Sequence, residues 1–116
     1  MDKLLEKVDL IEQYRTGIRA VFSQYLGRSE ADTQNETIAI CDEETDNYLL
    51  MNVGWNRYQR LHGVFVHLRI IKDKIHVEWN GTEEIVEDLM AQGIPESAFV
   101  PAFRHPDFRA ELAMVS

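Results

Sequence analysis

Apolar residues recur at three- and four-residue steps through the first quarter of the chain, with charged and polar residues between them. The members of this stripe are Leu4, Val8, Ile11, Ile18, Val21, Phe22 and Tyr25. The spacing is that of one face of an α-helix, and it predicts an amphipathic helix of about seven turns from Asp2 to about Leu26. Gly27 is well placed to end this helix, and the polar run GRSEADTQN predicts a loop after it.

From Glu36 onward the apolar residues recur at every second position, which is the period of a β-strand. Four such runs follow one another: ETIAICDEE, NYLLMNVGW, RLHGVFVHLRII and IHVEWN. Their connections are only a few residues long, whereas parallel neighbours need a crossover of a dozen residues or more. The runs therefore predict a four-stranded antiparallel meander.

The same alternation predicts which face of the sheet each side chain takes. In the third run Val64 and Val66 fall on one face, whereas His62 and His67, five residues apart, fall on opposite faces. Trp79 closes the alternating apolar set of the fourth run. We therefore expect Trp79 to lie in the hydrophobic core.

The segment NGTEEIVEDLMAQGIP predicts a short helix with Thr82 as its N-cap, Gly93 as its terminator and Pro95 beyond it. An irregular arm follows, with a short strand expected around Leu112 to Val115. The whole chain, residues 1–116, is predicted to be a single α+β domain. It has a long N-terminal helix, a four-stranded antiparallel β-meander, a short C-terminal helix and an irregular arm, with helices covering one face of the sheet.

The charge balance bears on the class of partner. The chain carries 12 Lys and Arg against 20 Asp and Glu, a net charge of −8. Affinity for duplex DNA comes mainly from cations that neutralise phosphates, so direct nucleic-acid binding is not expected of the isolated chain. The alternative, a basic patch formed by Arg57, Arg60, Arg69 and Lys72, predicts a salt-dependent complex with DNA. The charged start of the chain and the single cysteine predict a cytoplasmic protein with no membrane span.

Histidines raise a second alternative, a metal-dependent nuclease, because His and carboxylate side chains build zinc and iron sites. The best set of ligands is His62, His76 and Glu78, which could meet across a hairpin. The sequence contains no recognised metal-binding spacing, glycine-rich phosphate loop or nucleophile elbow. Cys41 lies in an apolar run and is expected to be a small buried residue. We therefore expect no enzymatic activity, no cofactor and no metal.

The run NVGWNRYQR places two aromatic residues and two arginines around a strand connection. Trp55, Arg57, Tyr58 and Arg60 are of the types favoured at the hot spots of protein interfaces. They are the candidate partner-binding residues of the chain. For Trp55 and Tyr58 the alternative is a hydrophobic seam beneath the meander.

The ordered segments VGW, HGVFVHLRI, KIHVEWN, TEEI and GIPESAFVPAF, together with Arg60, Leu89 and Arg109, resemble the XisI family of cyanobacterial proteins. Proteins of this family are called excision controlling factors for a DNA element that interrupts the ferredoxin gene fdxN. The similarity runs from about Asn47 to the end of the chain, and the order of helices and strands extends it to a XisI-like domain over the whole chain. At His67 the chain reads HLR, where the family commonly has an acid two residues after the histidine.

The resemblance implies a non-catalytic regulator of site-specific DNA element excision, in cyanobacteria and in heterocyst differentiation, acting beside a separate recombinase. It also implies a protein partner, an XisH-like protein whose fold looks nuclease-like. The charge agrees with this, because an acidic chain is better suited to binding a basic protein than a DNA duplex. Self-association into a homo-oligomer through exposed sheet edges is left open.

Overall fold

The computed structural model describes residues 3–27, 35–82 and 84–108 of the chain. The elements are helix α1 (Lys3–Gly27), strands β1 (Asn35–Asp42), β2 (Asn47–Asn56), β3 (Gln59–Ile71) and β4 (Lys74–Asn80), helix α2 (Ile85–Met90) and strand β5 (Phe99–Val100). Short 3-10 turns occupy Glu96–Ala98 and Pro106–Phe108. The long N-terminal helix and the four strands predicted from the sequence are confirmed. The strand predicted around Leu112 to Val115 and most of the predicted polar loop lie outside the described residues.

All five strands form one sheet, in the order β1-β2-β3-β4-β5. Strands β1 to β4 are antiparallel neighbours, as their short connections predict, but β5 pairs parallel to β4. The predicted four-stranded antiparallel sheet is therefore corrected to a five-stranded mixed sheet. The connection from β4 to β5 contains α2 and is long enough for a parallel crossover, whereas a two-residue strand has too few positions to show alternation in the sequence.

The hydrophobic core lies between the two helices and one side of the sheet, which we call the inner face; the opposite side is the outer face. The core residues on the inner face are Tyr48, Leu50, Val66, Leu68, Ile70, Ile75 and Val77. Helix α1 contributes Tyr14, Ile18, Val21 and Phe22, and α2 contributes Ile85, Val86 and Leu89. Their removal from water is the main favourable contribution to folding.

A β-bulge in β3 reverses the alternation of side chains partway along the strand. Leu50 pairs with Val66, but the next residue, Met51, pairs with Val64, so Phe65 is an extra residue. As a result Val64 is 37% exposed on the outer face whereas Val66 is fully buried on the inner face. The prediction that these two valines share a face is therefore wrong.

A second bulge, in β4, decides the position of Trp79. His67 pairs with Trp79 and Leu68 pairs with Val77, which leaves Glu78 as the extra residue. Trp79 therefore turns to the outer face, where it is 57% exposed. The prediction that Trp79 belongs to the core is wrong, because strict alternation holds only as long as the strand pairing is regular.

Two tyrosines of α1 form hydrogen bonds with other parts of the domain. The hydroxyl of Tyr14 donates to the backbone carbonyl of Asp73, 2.9 Å away, in the connection between β3 and β4. The hydroxyl of Tyr25 donates to Oδ2 of Asp88 in α2, at 3.0 Å. Burial of each phenol raises its pKa. These bonds satisfy the polar end of a side chain whose ring packs against the core.

Helix α2 is shorter than the sequence predicts. It begins at Ile85, its cap residue is Glu84 and no side chain caps it, so the assignment of Thr82 as N-cap is wrong. The Thr82 hydroxyl instead accepts a hydrogen bond from the backbone N–H of Glu84 at 3.2 Å. Gly93 follows the helix with a φ of 98°, a left-handed conformation that confirms its predicted role as terminator.

Two further expectations concern exposure and membranes. Cys41 is exposed, so the prediction of a buried thiol is wrong. The residue lies near the end of β1, an edge strand with a strand neighbour on one side. Neither helix in the described part of the chain combines the length and the apolar character needed to cross a membrane.

Gly81→Ala is expected to destabilise the protein by roughly 1 to 3 kcal/mol, because the added methyl group has no room. A Cβ at Gly81 would lie 2.5 Å from the backbone oxygen of Phe65, which accepts the Gly81 N–H bond at the β3 bulge. Urea denaturation measures the change. Gly63→Ala is the matched control, since nothing lies within 4 Å of its Cβ position. Equal losses for the two variants would contradict the steric explanation.

Candidate functional site

The outer face of the sheet is apolar at its centre. Within the described residues, four of the eight exposed large hydrophobic side chains lie on it: Ile40 at 43%, Trp55 at 45%, Val64 at 37% and Trp79 at 57%. Strand pairing places them on one face, because directly paired residues share a side of the sheet. An antiparallel sheet with one face in water normally carries polar residues there. An apolar outer face is instead typical of a surface that contacts another molecule.

The widest part of this surface is a row that crosses four strands. Ile40 in β1 pairs with Leu49 in β2, Leu49 with His67 in β3, and His67 with Trp79 in β4. Leu49 and His67 are half-buried by their neighbours, while the two ends of the row are exposed. The row is apolar except for the imidazole of His67, which lies between Leu49 and Trp79.

The four residues selected from the sequence meet at one end of the outer face. Trp55 pairs with Arg60, whose guanidinium lies 5.2 Å from the centroid of the indole ring and donates to the Gly54 carbonyl at 3.4 Å. Arg57 and Tyr58 form the two-residue connection of the hairpin, and Tyr58 is 98% exposed. The alternative of a buried seam for the two aromatic residues is wrong. The group is a solvated aromatic and cationic cluster at the hairpin tip.

The other end of the outer face is polar. Nη1 of Arg69 lies 3.6 Å from Oε2 of Glu78, and Nε2 of His67 lies 2.9 Å from Oδ1 of Asn47. Burial lowers the pKa of the His67 imidazole, with Glu78 opposing the change and Arg69 adding to it. The shift favours the neutral imidazole, which makes a hydrogen bond with the Asn47 side chain.

The three metal ligands proposed from the sequence are not brought together. His76 pairs with Arg69, seven residues beyond His62 along β3, a separation of about 20 Å. Glu78 lies beside Arg69 instead of beside His62. The β3 bulge also puts His62 on the same face as His67, which corrects the prediction of opposite faces. Across residues 3–27, 35–82 and 84–108, no group of three His, Cys, Asp or Glu is arranged to hold a metal ion.

The cations proposed for DNA binding are spread along the sheet. Arg57 and Arg60 lie at the hairpin tip, whereas Lys72 lies in the connection after β3. Twelve residues of extended chain, about 40 Å, separate Arg60 from Lys72. Between them Arg69 faces the carboxylate of Glu78. These four cations therefore do not form one compact basic patch.

A cleft of about 480 Å³ lies between α1 and the connection from β3 to β4. Its described lining consists of Val8, Ile11, Arg15, Lys72 and Asp73. The guanidinium of Arg15 is already held by two acidic side chains. Arg15 is therefore engaged within the protein, which leaves Lys72 as the other cation of the described lining.

Comparison with known proteins identifies the family. The family model described as XisI protein matches residues 8–114. The chain belongs to the XisI family. No curated protein matches the chain. This assignment confirms the resemblance drawn from the sequence motifs.

Two solved structures from Anabaena variabilis ATCC 29413 share the fold. One is the fdxN element excision controlling factor XisI, 27% identical, with 86% of this chain and 98% of that chain covered and a TM-score of 0.71. The other is a XisI-like protein, also 27% identical, with 90% and 95% covered and a TM-score of 0.77. The helix and the sheet described above are thus shared with solved structures of XisI proteins, and a regulatory role of the XisI type is supported.

Sequence reasoning missed three residues of the candidate surface, Ile40, Val64 and Trp79. A usable signal was present in β2, where Leu49 and Met51 flank Leu50 in an unbroken apolar run. Consecutive apolar residues are typical of a strand covered on both faces, whereas a strand with one wet face alternates. The run therefore indicated that the outer face as well as the inner face is apolar.

Proposed function

We propose that this protein is a non-catalytic accessory factor in the control of site-specific DNA element excision, and that it acts by binding an XisH-like, nuclease-like protein. The proposal extends to this chain the role named for a solved relative, the fdxN element excision controlling factor. The observation that carries the protein-binding part is the exposed apolar row of the outer face. Trp79 and Ile40 lie at the two ends of this row.

The composition of the outer face suits a protein partner. Tryptophan, tyrosine and arginine dominate the energetics of protein interfaces, and Trp55, Tyr58, Arg60 and Trp79 supply all three types. The net charge of −8 favours a basic partner, because opposite charge accelerates encounter between proteins. The same charge opposes a DNA duplex.

Trp79→Ala is expected to weaken the complex with the partner about thirtyfold, because truncating an aromatic hot-spot residue at an interface commonly costs 2 kcal/mol or more. The wild-type chain is co-expressed with the XisH-like product of a neighbouring gene, and the complex is isolated by affinity and size-exclusion chromatography. Titration calorimetry of the purified components then gives the dissociation constants. Trp55→Ala, at the hairpin tip, measures how far the interface extends along the outer face.

Phe108→Ala is the matched control for the Trp79 variant. Phe108 is also aromatic and 57% exposed, but it lies in the 3-10 turn Pro106–Phe108 and belongs to none of the five strands. Binding should be unchanged by this substitution. If no complex forms, or if Trp79→Ala and Trp55→Ala bind as tightly as the wild type, the proposed role of the outer face is wrong.

A further inference from the structure

Strand β1 is an edge strand whose five central residues, Thr37 to Cys41, include no charged residue and no proline. Within the described residues its only strand neighbour is β2, and the pairing runs from Asn35 to Asp42 with no register shift. The segment ETIAICD, residues 36–42, contains no proline, lysine or glycine. Natural edge strands are usually shortened, bulged, or protected by lysine or proline, because a bare edge recruits another strand. Strand β1 is therefore suited to pair with a strand from another molecule.

The residue types of β1 are arranged symmetrically about Ala39. Ile38 and Ile40 flank this alanine, and the small side chains of Thr37 and Cys41 come next. An acidic residue stands at each end of the segment ETIAICD. When two copies of one strand pair antiparallel in one sheet, facing residues lie equally far on either side of one central residue. A strand whose residue types are symmetric about that residue therefore places similar side chains opposite each other.

We propose that a second copy of this chain pairs its β1 antiparallel to β1 of the first, about a twofold axis at Ala39. The two sheets then form one continuous sheet, and each exposed Ile40 lies opposite the partner's Ile38. Shifting the axis to Ile38 would put Glu36 opposite the partner's Ile40, and shifting it to Ile40 would put Asp42 opposite the partner's Ile38. Of these three registers, only the one centred on Ala39 places both isoleucines of each strand opposite an isoleucine of the partner.

The proposed register has one unfavourable feature that makes it testable. Glu36 faces the partner's Asp42, and the twofold axis repeats this pair of like charges. Glu36→Lys converts both repulsions into attractions and is expected to tighten the dimer roughly tenfold. Loss of the fold would weaken a specific dimer, so a tighter monomer–dimer equilibrium with an unchanged circular dichroism spectrum is informative.

Sedimentation equilibrium of the full chain measures the dimer constant of the wild type and of the Glu36→Lys variant. Glu44→Lys is the matched control, because it changes the net charge by the same amount but lies exposed in the connection between β1 and β2. It is expected to shift the dimer constant by less than about threefold, through long-range charge alone. A wild-type chain that stays monomeric at the highest attainable concentration, or a Glu36→Lys variant no tighter than Glu44→Lys, would overturn the proposal.

Disulfide trapping tests the register directly, because Cys41 is the single cysteine of the chain. In the proposed dimer Thr37 lies opposite the partner's Cys41, so Thr37→Cys is expected to form covalent dimers under mild oxidation. The same two positions within one chain are four residues apart along a strand, about 13 Å, and cannot bond to each other.

Ser97→Cys is the control for trapping, since it adds an exposed cysteine next to β5, at the opposite edge of the sheet. Rapid dimerisation of Thr37→Cys with little from Ser97→Cys supports the register. Equal trapping of the two variants, or none with Thr37→Cys, shows that β1 does not pair with itself in this way.

Discussion

Leu68→Ala is expected to lower the free energy of unfolding by roughly 2 to 5 kcal/mol. Leu68 is fully buried on the inner face of β3, the middle strand of the sheet, between Tyr48 of β2 and Val77 of β4 in one row. Both neighbours are fixed by backbone pairing, so they cannot close around the space that the lost side chain leaves. Domains of this size have a total stability of about 5 to 15 kcal/mol, so the loss is a large share.

Val64→Ala is the control for Leu68→Ala, because it truncates an aliphatic side chain on the outer face of the same strand. Val64 is 37% exposed, so fewer apolar contacts are lost and water can enter the space. The expected loss is less than about 1 kcal/mol. Urea denaturation followed by circular dichroism gives both values. A Val64 loss as large as that of Leu68 would show that the outer face is part of the core.

Asp46→Asn is expected to cost about 1 to 3 kcal/mol at neutral pH and much less in strong acid. The Asp46 carboxylate accepts hydrogen bonds from Nε and Nη2 of Arg15, at 2.9 and 3.0 Å, and from the Tyr48 hydroxyl at 2.7 Å. The contacts tie α1 to the start of β2. Asparagine readily adopts the left-handed backbone, φ 55°, of this position, so the substitution tests the charge rather than the turn.

The pH dependence follows from the pKa of Asp46. Burial by itself would raise this pKa, but the hydrogen bonds from Arg15 and Tyr48 outweigh burial and hold it below its usual value. The carboxyl is therefore more acidic in the folded than in the unfolded chain. Its stabilising contribution is complete above the unfolded value of about 4, and it is lost as the pH falls through the folded value.

Urea denaturation of wild type and Asp46→Asn between pH 2 and 7 measures this difference. The two stabilities should differ most above about pH 4 and converge as the pH falls below it. Asp42→Asn is the control, since its exposed carboxylate accepts hydrogen bonds from uncharged groups of the same turn, the Glu44 backbone N–H and the Thr45 hydroxyl. It should cost less than about 1 kcal/mol. A difference between wild type and Asp46→Asn that does not change with pH would contradict the role of the charge.

The candidate site was only partly predictable from the sequence. Trp55 and Tyr58 could be selected because tryptophan and tyrosine beside a short strand connection are seldom fully buried and have no local structural reason to be there. Trp79 was assigned to the core because it continued the alternation of Ile75 and Val77. The structure corrects this through the bulge at Glu78, which moves a large aromatic side chain from one face of the sheet to the other.

Local patterns and ordered motifs in the sequence were sufficient to predict most of the helices and strands and the family. A stripe of apolar residues with helical spacing is a property of one segment, so α1 can be predicted without knowing which elements it packs against. The same holds for four alternating runs with connections too short for parallel crossovers, which predict β1 to β4 and their antiparallel order. The ordered motifs from VGW to GIPESAFVPAF were sufficient for the XisI resemblance, which the family match over residues 8–114 confirms.

Which side chains share a surface depends on how the strands pair, and the pattern within one strand does not contain this information. A bulge is a property of two paired strands, so neither strand alone encodes the extra residue at Phe65 or Glu78. A one-residue shift in pairing moves every later side chain to the opposite face, and it places Val64 and Trp79 outside the core. The short parallel strand β5 likewise exists through its pairing with β4, because two residues carry no period of their own.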